Sequence, residues 1–275
     1  MGARFSGKSI FITGASAGIG EALARLFAAE GACVTLAARR VERLRRIQRE
    51  IAAAGGEATA VTCDVTSRPS INRAVARAIK KYRRLDVVVA NAGIPVNGRF
   101  AKLTTEDYRR QFDTNFFGVV DTVYAVLPYL KKTRGRLAIV TSVLGRMAVP
   151  GASAYCASKF AACALAESLY HEFSGFGVSV TNILPGFVNT EIGYVRRDGK
   201  VDLGGKNLIP DWIAATPDAA ALEILRAIHA RKPEVIVTAH GRLFEAAGRY
   251  FPRLTRFGQR LTANEVIKMF ESGSR

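Results

Sequence analysis

The chain has 275 residues, 49% of them hydrophobic, and Lys and Arg outnumber Asp and Glu by 40 to 23. That length suits one large α/β domain, and no apolar run reaches the roughly 18 residues that would suggest a transmembrane helix. Four cysteines without a C-x-x-C pair and three scattered histidines suggest neither a disulfide framework nor a metal site, and the formal charge of +17 comes without an aromatic-interleaved basic stripe that would point to nucleic acid.

Apolar runs alternate with helical periodicity almost from end to end. Lys8–Thr13 reads as a strand, and Ile19–Ala29 has the i, i+3, i+4 apolar spacing of a helix. Ala32–Ala37 is the second strand, followed by a charged helix through about Ala53. Ala58–Cys63 and Ser67–Tyr82 repeat the pair. Leu85–Ala90 is a fourth strand whose unbroken Val87-Val88-Val89 suits a strand buried on both faces. Thr104-Thr105-Glu106-Asp107 supplies a cap and early acidic charge for one long helix from about Thr105. Arg136–Thr141 is a fifth strand, Tyr155–Phe173 a helix, and Val178–Leu184 a sixth strand that stops at Pro185-Gly186. Pro217–Ala230 reads as a helix with proline in its first turn, and Glu234–Thr238 as a seventh strand. This alternation predicts a single doubly wound α/β domain, a parallel sheet with helices on both faces, over residues 1–240. Residues 241–275 form a helical extension. Strand-like sequence begins by Lys8, which leaves no room for a signal peptide and makes the cytoplasm the expected compartment.

In such a sheet, ligands bind beyond the carboxyl ends of the strands. The first strand ends in Thr13-Gly14-Ala15-Ser16-Ala17-Gly18-Ile19-Gly20, a turn whose glycines let backbone N–H groups approach a pyrophosphate at the helix N-terminus. The second ends in Ala37-Ala38-Arg39-Arg40. An NAD site would place an acid there for the ribose 2′-hydroxyl, whereas a guanidinium suits a 2′-phosphate. Arg39, and secondarily Arg40, therefore point to NADP(H), unless both are ordinary helix-start arginines. Asp64 closes the third strand and could accept from an adenine amino group. Asn91-Ala92-Gly93 closes the fourth, with Asn91 placed to bond neighbouring backbone.

At the other end of the expected crevice, Tyr155 and Lys159 lie one turn apart on a helix. A free phenol is too weak an acid for neutral pH, and a neighbouring ammonium favours its phenolate. Ser142 follows the fifth strand directly, so its hydroxyl points into the same crevice. Asn115 lies mid-helix, where its low propensity calls for a reason such as a bond to a carbonyl oxygen or a proton-carrying water.

Taken together, T-G-x-x-x-G-x-G, N-A-G, the Asn, the Ser and Y-x-x-x-K occur in an order that resembles the short-chain dehydrogenase/reductase family, over Lys8 to about Thr190. The resemblance implies a Rossmann-type fold with a seven-stranded sheet and a catalytic tetrad of Asn115, Ser142, Tyr155 and Lys159. It implies cofactor contacts from Gly14, Ser16, Gly18, Ile19 and Gly20 in the turn, and from Arg39 and Arg40. Asp64 and Val65, Asn91 through Gly93, Tyr155, Lys159, Pro185, Gly186, Val188 and Thr190 complete the set. It also implies a small-molecule carbonyl or alcohol substrate, a homodimer or homotetramer, and a lid of about residues 190–215. NADP-preferring relatives often carry a basic residue where this chain has Ala17, which leaves Arg39 as the main cofactor signal.

Leu144, Met147, Val149 and Pro150 suggest an apolar pocket wall, and Arg196-Arg197 in the lid could meet an acidic group or solvent. Beyond Ala239, Leu243, Phe244, Tyr250, Phe251, Leu254, Phe257 and Leu261 alternate with arginines. This segment packs on its own domain, packs across a subunit interface, or rests as a basic amphipathic helix on an anionic membrane. A nucleotide-binding sensor or scaffold of the same fold is the alternative function, although a binding module has no use for an activated phenol.

Overall fold

The structure, a computed structural model, describes residues 3–194 and 213–272. It contains a single sheet of seven parallel strands: β1 (Ser9–Thr13), β2 (Cys33–Ala38), β3 (Glu57–Thr62), β4 (Val87–Ala90), β5 (Arg136–Val140), β6 (Ser179–Pro185) and β7 (Glu234–Val237). Their spatial order is β3-β2-β1-β4-β5-β6-β7, so the winding reverses between β1 and β4. Ligands of doubly wound sheets sit at that reversal, beyond the strand ends.

Helices α1 (Gly18–Ala29), α2 (Val41–Ala53) and α7 (Pro217–His229) belong to one layer, and α3 (Arg68–Tyr82), α5 (Gly118–Thr133) and α6 (Ser153–Ser174) to the other. Alternation along each strand feeds both layers. Ile10 and Ile12 pack with Leu23, Phe27, Ile47 and Ile224, while Phe11 between them packs with Ile71, Val75 and Leu130. Val87, Val88 and Val89 divide the same way and are fully buried, as their unbroken run requires.

Residues from Thr105 do not form one long helix. Helix α4 (Thr105–Phe112) opens on a capping box between Thr104 and Asp107. It ends in a π-helical turn at Asp113–Phe117, and α5 follows from Gly118. A π-turn inserts one extra residue into the helical repeat and so re-aims a side chain. Here the re-aimed residue is Asn115, which is 1% exposed. The four cysteines are free thiols, Cys33 half-buried and Cys63, Cys156 and Cys163 buried. Some of the basic charge is paired: Arg25 and Arg46 bridge Glu21 on α1 to Glu50 on α2.

After β7 the chain continues as α8 (Ala239–Tyr250) and α9 (Pro252–Ser272). On α9, Thr255 donates to the Ala247 carbonyl and Gln259 to the Ala148 carbonyl, both at 3.0 Å, which fixes the face turned to the body. Leu254, Phe257 and Leu261 are 68%, 61% and 70% exposed, so their face is not covered by the described residues.

Candidate functional site

A cavity of about 680 Å³ runs along the strand ends at the reversal point, from Arg39, Arg40 and Asp64 past the glycine turn to Ser142, Tyr155 and Lys159. All the expected site residues line it except Gly20 and Asn115, which lie just behind its wall.

The glycine turn is shaped by its neighbours. Gly14 has φ +67°, and a Cβ there would fall 2.8 Å from the Ala92 Cα and 2.9 Å from Asn91 Nδ2. Gly18 has φ +58°, and a Cβ there would fall 2.9 Å from Thr190 Cγ2, which seats Thr190 on the start of α1. Helix α1 has no side-chain cap, so N–H groups of its first turn are left for water or a ligand. Asn91 bonds neighbouring backbone as expected. Its Nδ2 donates to the carbonyls of Thr13 (3.0 Å) and Gly14 (3.2 Å), while the Thr13 hydroxyl accepts from the N–H groups of Asn91 and Ala92. The ends of β1 and β4 are thereby tied together. One carboxylate oxygen of Asp64 is engaged by Thr66, whose N–H and hydroxyl donate to it at 3.0 and 2.8 Å.

Arg39 and Arg40 are both exposed at the rim. The Arg39 side chain makes no hydrogen bond or ion pair among the described residues. Arg40 donates to the Ser16 hydroxyl at 3.1 and 3.3 Å and ion-pairs with Glu191. Pro185, Gly186, Val188 and Thr190 follow β6. Their path is held by a bridge between Val188 and Ala215 and by the Phe187 N–H donating to His240 Nε2 at 2.8 Å. Of the expected lid, residues 195–212, including Arg196 and Arg197, lie outside the described residues.

At the far end Lys159, 4% exposed, donates from Nζ to the Val140 carbonyl at 3.0 Å and lies 5.7 Å from the centre of the Tyr155 ring. Burial pushes the Lys159 ammonium down to about 8. Burial likewise pushes the Tyr155 phenol up to about 12, and a hydrogen bond with Ser142 acts in the opposite direction. In this structure, then, Ser142 is a group that favours the phenolate. Ser142 is 7% exposed and its Oγ also accepts from the Leu144 N–H at 3.1 Å, which closes a short turn beyond β5.

The π-turn accounts for Asn115. Its Oδ1 accepts from the Ile94 N–H at 2.9 Å, and its Nδ2 donates to the Ile94 carbonyl at 3.0 Å and to Ser158 Oγ at 3.2 Å. Asn115 thus clasps the segment after Gly93 and reaches α6 one residue from Lys159. Two partners carry no local signal in the sequence. Ser158 links Asn115 to the Tyr155 carbonyl, and the fully buried Gln111 bonds the backbone of Ile94 and Val96. The expected apolar wall is corrected in part. Leu144 lines the cavity, but Met147, Val149 and Pro150 do not, and Met147 packs against Gly248 of α8 instead.

The parallel sheet, the glycine turn at its reversal point and the Ser–Tyr–Lys group beside it define a nucleotide-binding oxidoreductase fold. A family model for short chain dehydrogenases matches residues 8–200, and the chain belongs to that family. It is an oxidoreductase of this type. Among curated relatives it is 38% identical over 224 residues to an oxidoreductase of Listeria innocua, covering 80% of this chain and 90% of the relative. It is 40% identical to the oxidoreductase UcpA of Salmonella typhimurium over 68% of this chain and 72% of that one. Among solved structures, an alcohol dehydrogenase from Thermococcus sibiricus complexed with 5-hydroxy-NADP is 31% identical, with a TM-score of 0.73 over 84% of this chain and 95% of that one. A short-chain dehydrogenase/reductase from Burkholderia phymatum in complex with NAD has a TM-score of 0.82 over 92% of this chain and 96% of that one. At 23% identity it supports the fold alone. None of the helices among the described residues is long and apolar enough to cross a membrane.

Proposed function

We propose that this chain is an NADP(H)-dependent oxidoreductase that interconverts a carbonyl and an alcohol on a mostly apolar small molecule, with Tyr155 as acid/base. The observation that carries the reading is one continuous cavity, with exposed guanidiniums at one end and Tyr155, Ser142 and Lys159 at the other. A sensor or scaffold would need the first end only.

The residues fit a nicotinamide dinucleotide. The turn from Gly14 through Gly20, including Ser16 and Ile19, leaves room and N–H donors for a pyrophosphate. Asp64 and Val65 border the space for an adenine. Ala92 and Gly93, with Pro185, Gly186, Val188 and Thr190, border the space for a nicotinamide and its ribose. The Arg39 side chain has no hydrogen-bond or ion-pair partner among the described residues, which suits it to a 2′-phosphate. When bound, the nicotinamide would supply the hydride. Ser142 would hold the substrate oxygen, and Tyr155 would give it a proton on reduction or take one on oxidation. Lys159 would orient the cofactor ribose and, as its protonated form, offset burial of a developing phenolate. Asn115, already anchored to Ile94 and Ser158, would hold the water route by which the proton on Tyr155 is replaced.

A screen of carbonyl and alcohol substrates, followed by NADPH absorbance with NADH alongside, tests the activity. Arg39→Asp should shift the preference toward NADH; an unchanged preference would remove Arg39 from the 2′ position.

The same reading extends to partners. Residues 1–240 would act as the catalytic domain, assembled as a homodimer or homotetramer in the cytoplasm, with residues 241–275 as its extension. Helix α9 would rest on an anionic membrane surface. In favour of that, the exposed Leu254, Phe257 and Leu261 are each preceded or followed closely by exposed Arg253, Arg256 and Arg260, on a chain of net charge +17.

A further inference from the structure

The end of β2 carries no acidic residue of its own, yet a carboxylate reaches it from elsewhere in the chain. Glu191 follows Thr190 in the segment after β6. One of its oxygens lies 2.7 Å from Arg40 Nη1, and the other pairs with Arg43 on the first turn of α2. Both arginines line the cavity beside Arg39, and Arg40 is steadied by the Ser16 hydroxyl. Three guanidiniums and a hydroxyl therefore frame one position at the rim, and a single carboxylate engages two of the three. The Glu191 side chain is 24% exposed. Burial alone would raise its carboxyl, but the two guanidiniums hold it below the ordinary carboxylate range.

A guanidinium pair that holds a carboxylate in this way presents the forked donors that a phosphate monoester also uses. The two anions repel each other and cannot share the pair without loss. We propose that Glu191 is an internal stand-in for the cofactor's 2′-phosphate: it holds Arg40 and Arg43 when no nucleotide is present and competes with the phosphate for them. Glu191 then sets how strongly the site favours a 2′-phosphorylated nucleotide, a specificity role played from a strand four places along the sheet from β2. This rests on the reading of the cavity as an NADP(H) site. It adds that the affinity gained from Arg40 and Arg43 is reduced by the need to displace Glu191. A nucleotide without the 2′-phosphate would leave the Glu191 contacts in place and gain nothing from these two arginines.

Direct binding separates the two claims without relying on turnover. Titration calorimetry on the full chain would compare adenosine 2′,5′-bisphosphate with 5′-AMP for the wild type and for Glu191→Gln. Loss of the competing charge at a partly exposed site should tighten the bisphosphate about three- to tenfold and leave 5′-AMP within about twofold. Because the gain is electrostatic, it should shrink as salt is raised. Unchanged or weaker bisphosphate binding in Glu191→Gln would overturn the proposal and make Glu191 a fixed orienting group for the arginines. If both nucleotides tightened equally, the effect would belong to the cavity as a whole, which also overturns it. A wild type that binds 5′-AMP as tightly as the bisphosphate, with Arg39→Asp indifferent to either, would instead contradict the NADP(H) reading itself.

Discussion

Tyr155 and Lys159 lie one helical turn apart on α6, and the same burial acts on them in opposite directions. It raises the Tyr155 phenol to about 12 and lowers the Lys159 ammonium to about 8. For Lys159 the consequence for stability has a definite sign. Between about 8 and its ordinary value of 10.5, the unfolded chain binds a proton that the folded chain has lost, so stability rises with pH across that window. Below pH 8 both states are protonated and the contribution is flat. Above pH 10 the raised Tyr155 acts the other way, because the folded phenol keeps a proton that the unfolded one releases. Urea unfolding of the nucleotide-free wild type and of Lys159→Met should therefore show a difference that moves in favour of the wild type between pH 8 and 10. A difference independent of pH would mean that burial does not lower the Lys159 ammonium, which would then keep its proton in the folded chain across that window. At this scale the motif residues were legible because each belongs to a short, local pattern. Glu191 was not. Its carboxylate meets Arg40 and Arg43 only after the sheet has brought the ends of β2 and β6 to a common rim, and nothing adjacent to it in the sequence announces that meeting.

Strand ends and helix starts were readable from turn chemistry, and β1 to β7 lie close to their expected ranges. The break between α4 and α5 was not readable. No glycine or proline marks residues 113–117, apolar spacing on either side continues the helical pattern, and one extra residue in a turn is invisible to a periodicity of 3.6. The unusual choice of Asn115 for a helix interior was the visible trace of it. Its amide now has three partners, two on Ile94 and one on Ser158. Asn115→Leu would leave the Ile94 N–H without its partner, at a cost of about 1–3 kcal/mol where water cannot replace the bond, while the Ile94 carbonyl would keep Gln111 and Ser158 would keep the Tyr155 carbonyl. The expected result is a clear loss of stability in urea unfolding together with reduced turnover. Wild-type stability in that variant would mean that the clasp contributes nothing to the segment after Gly93.

Across the whole molecule, the sheet gathers the strand-end motifs into one cavity, while α8 and α9 extend beyond it. Composition along the tail left three placements open, because apolar residues that alternate with arginines suit a buried helix, a subunit contact or a membrane surface equally well. Among the described residues, Leu254, Phe257 and Leu261 are exposed and leave one face of α9 uncovered, while His240 and Gly248 of α8 pack on the body. For the membrane reading, full-length protein should co-sediment with vesicles containing phosphatidylserine and not with phosphatidylcholine vesicles. The triple variant Leu254→Ser, Phe257→Ser, Leu261→Ser should lose that partitioning. Equal partitioning of the two proteins would contradict it, as would a variant that changes only the oligomeric size in gel filtration. The tail is also joined to the cavity. His240, the second residue of α8, accepts from the Phe187 N–H and stacks on the Phe187 ring, with centroids 5.7 Å apart.

The account depends most on Tyr155 as the group that moves the proton, and one paired measurement addresses it. Turnover of the best substrate found in the screen, and NADPH affinity by fluorescence titration, should be measured for the wild type and for Tyr155→Phe. Removing one hydroxyl keeps the ring and its packing, so the prediction is loss of turnover by at least about a hundredfold, the usual scale of a general acid, with NADPH affinity close to that of the wild type. Retained turnover in Tyr155→Phe would contradict the account and place the proton donor elsewhere in the cavity.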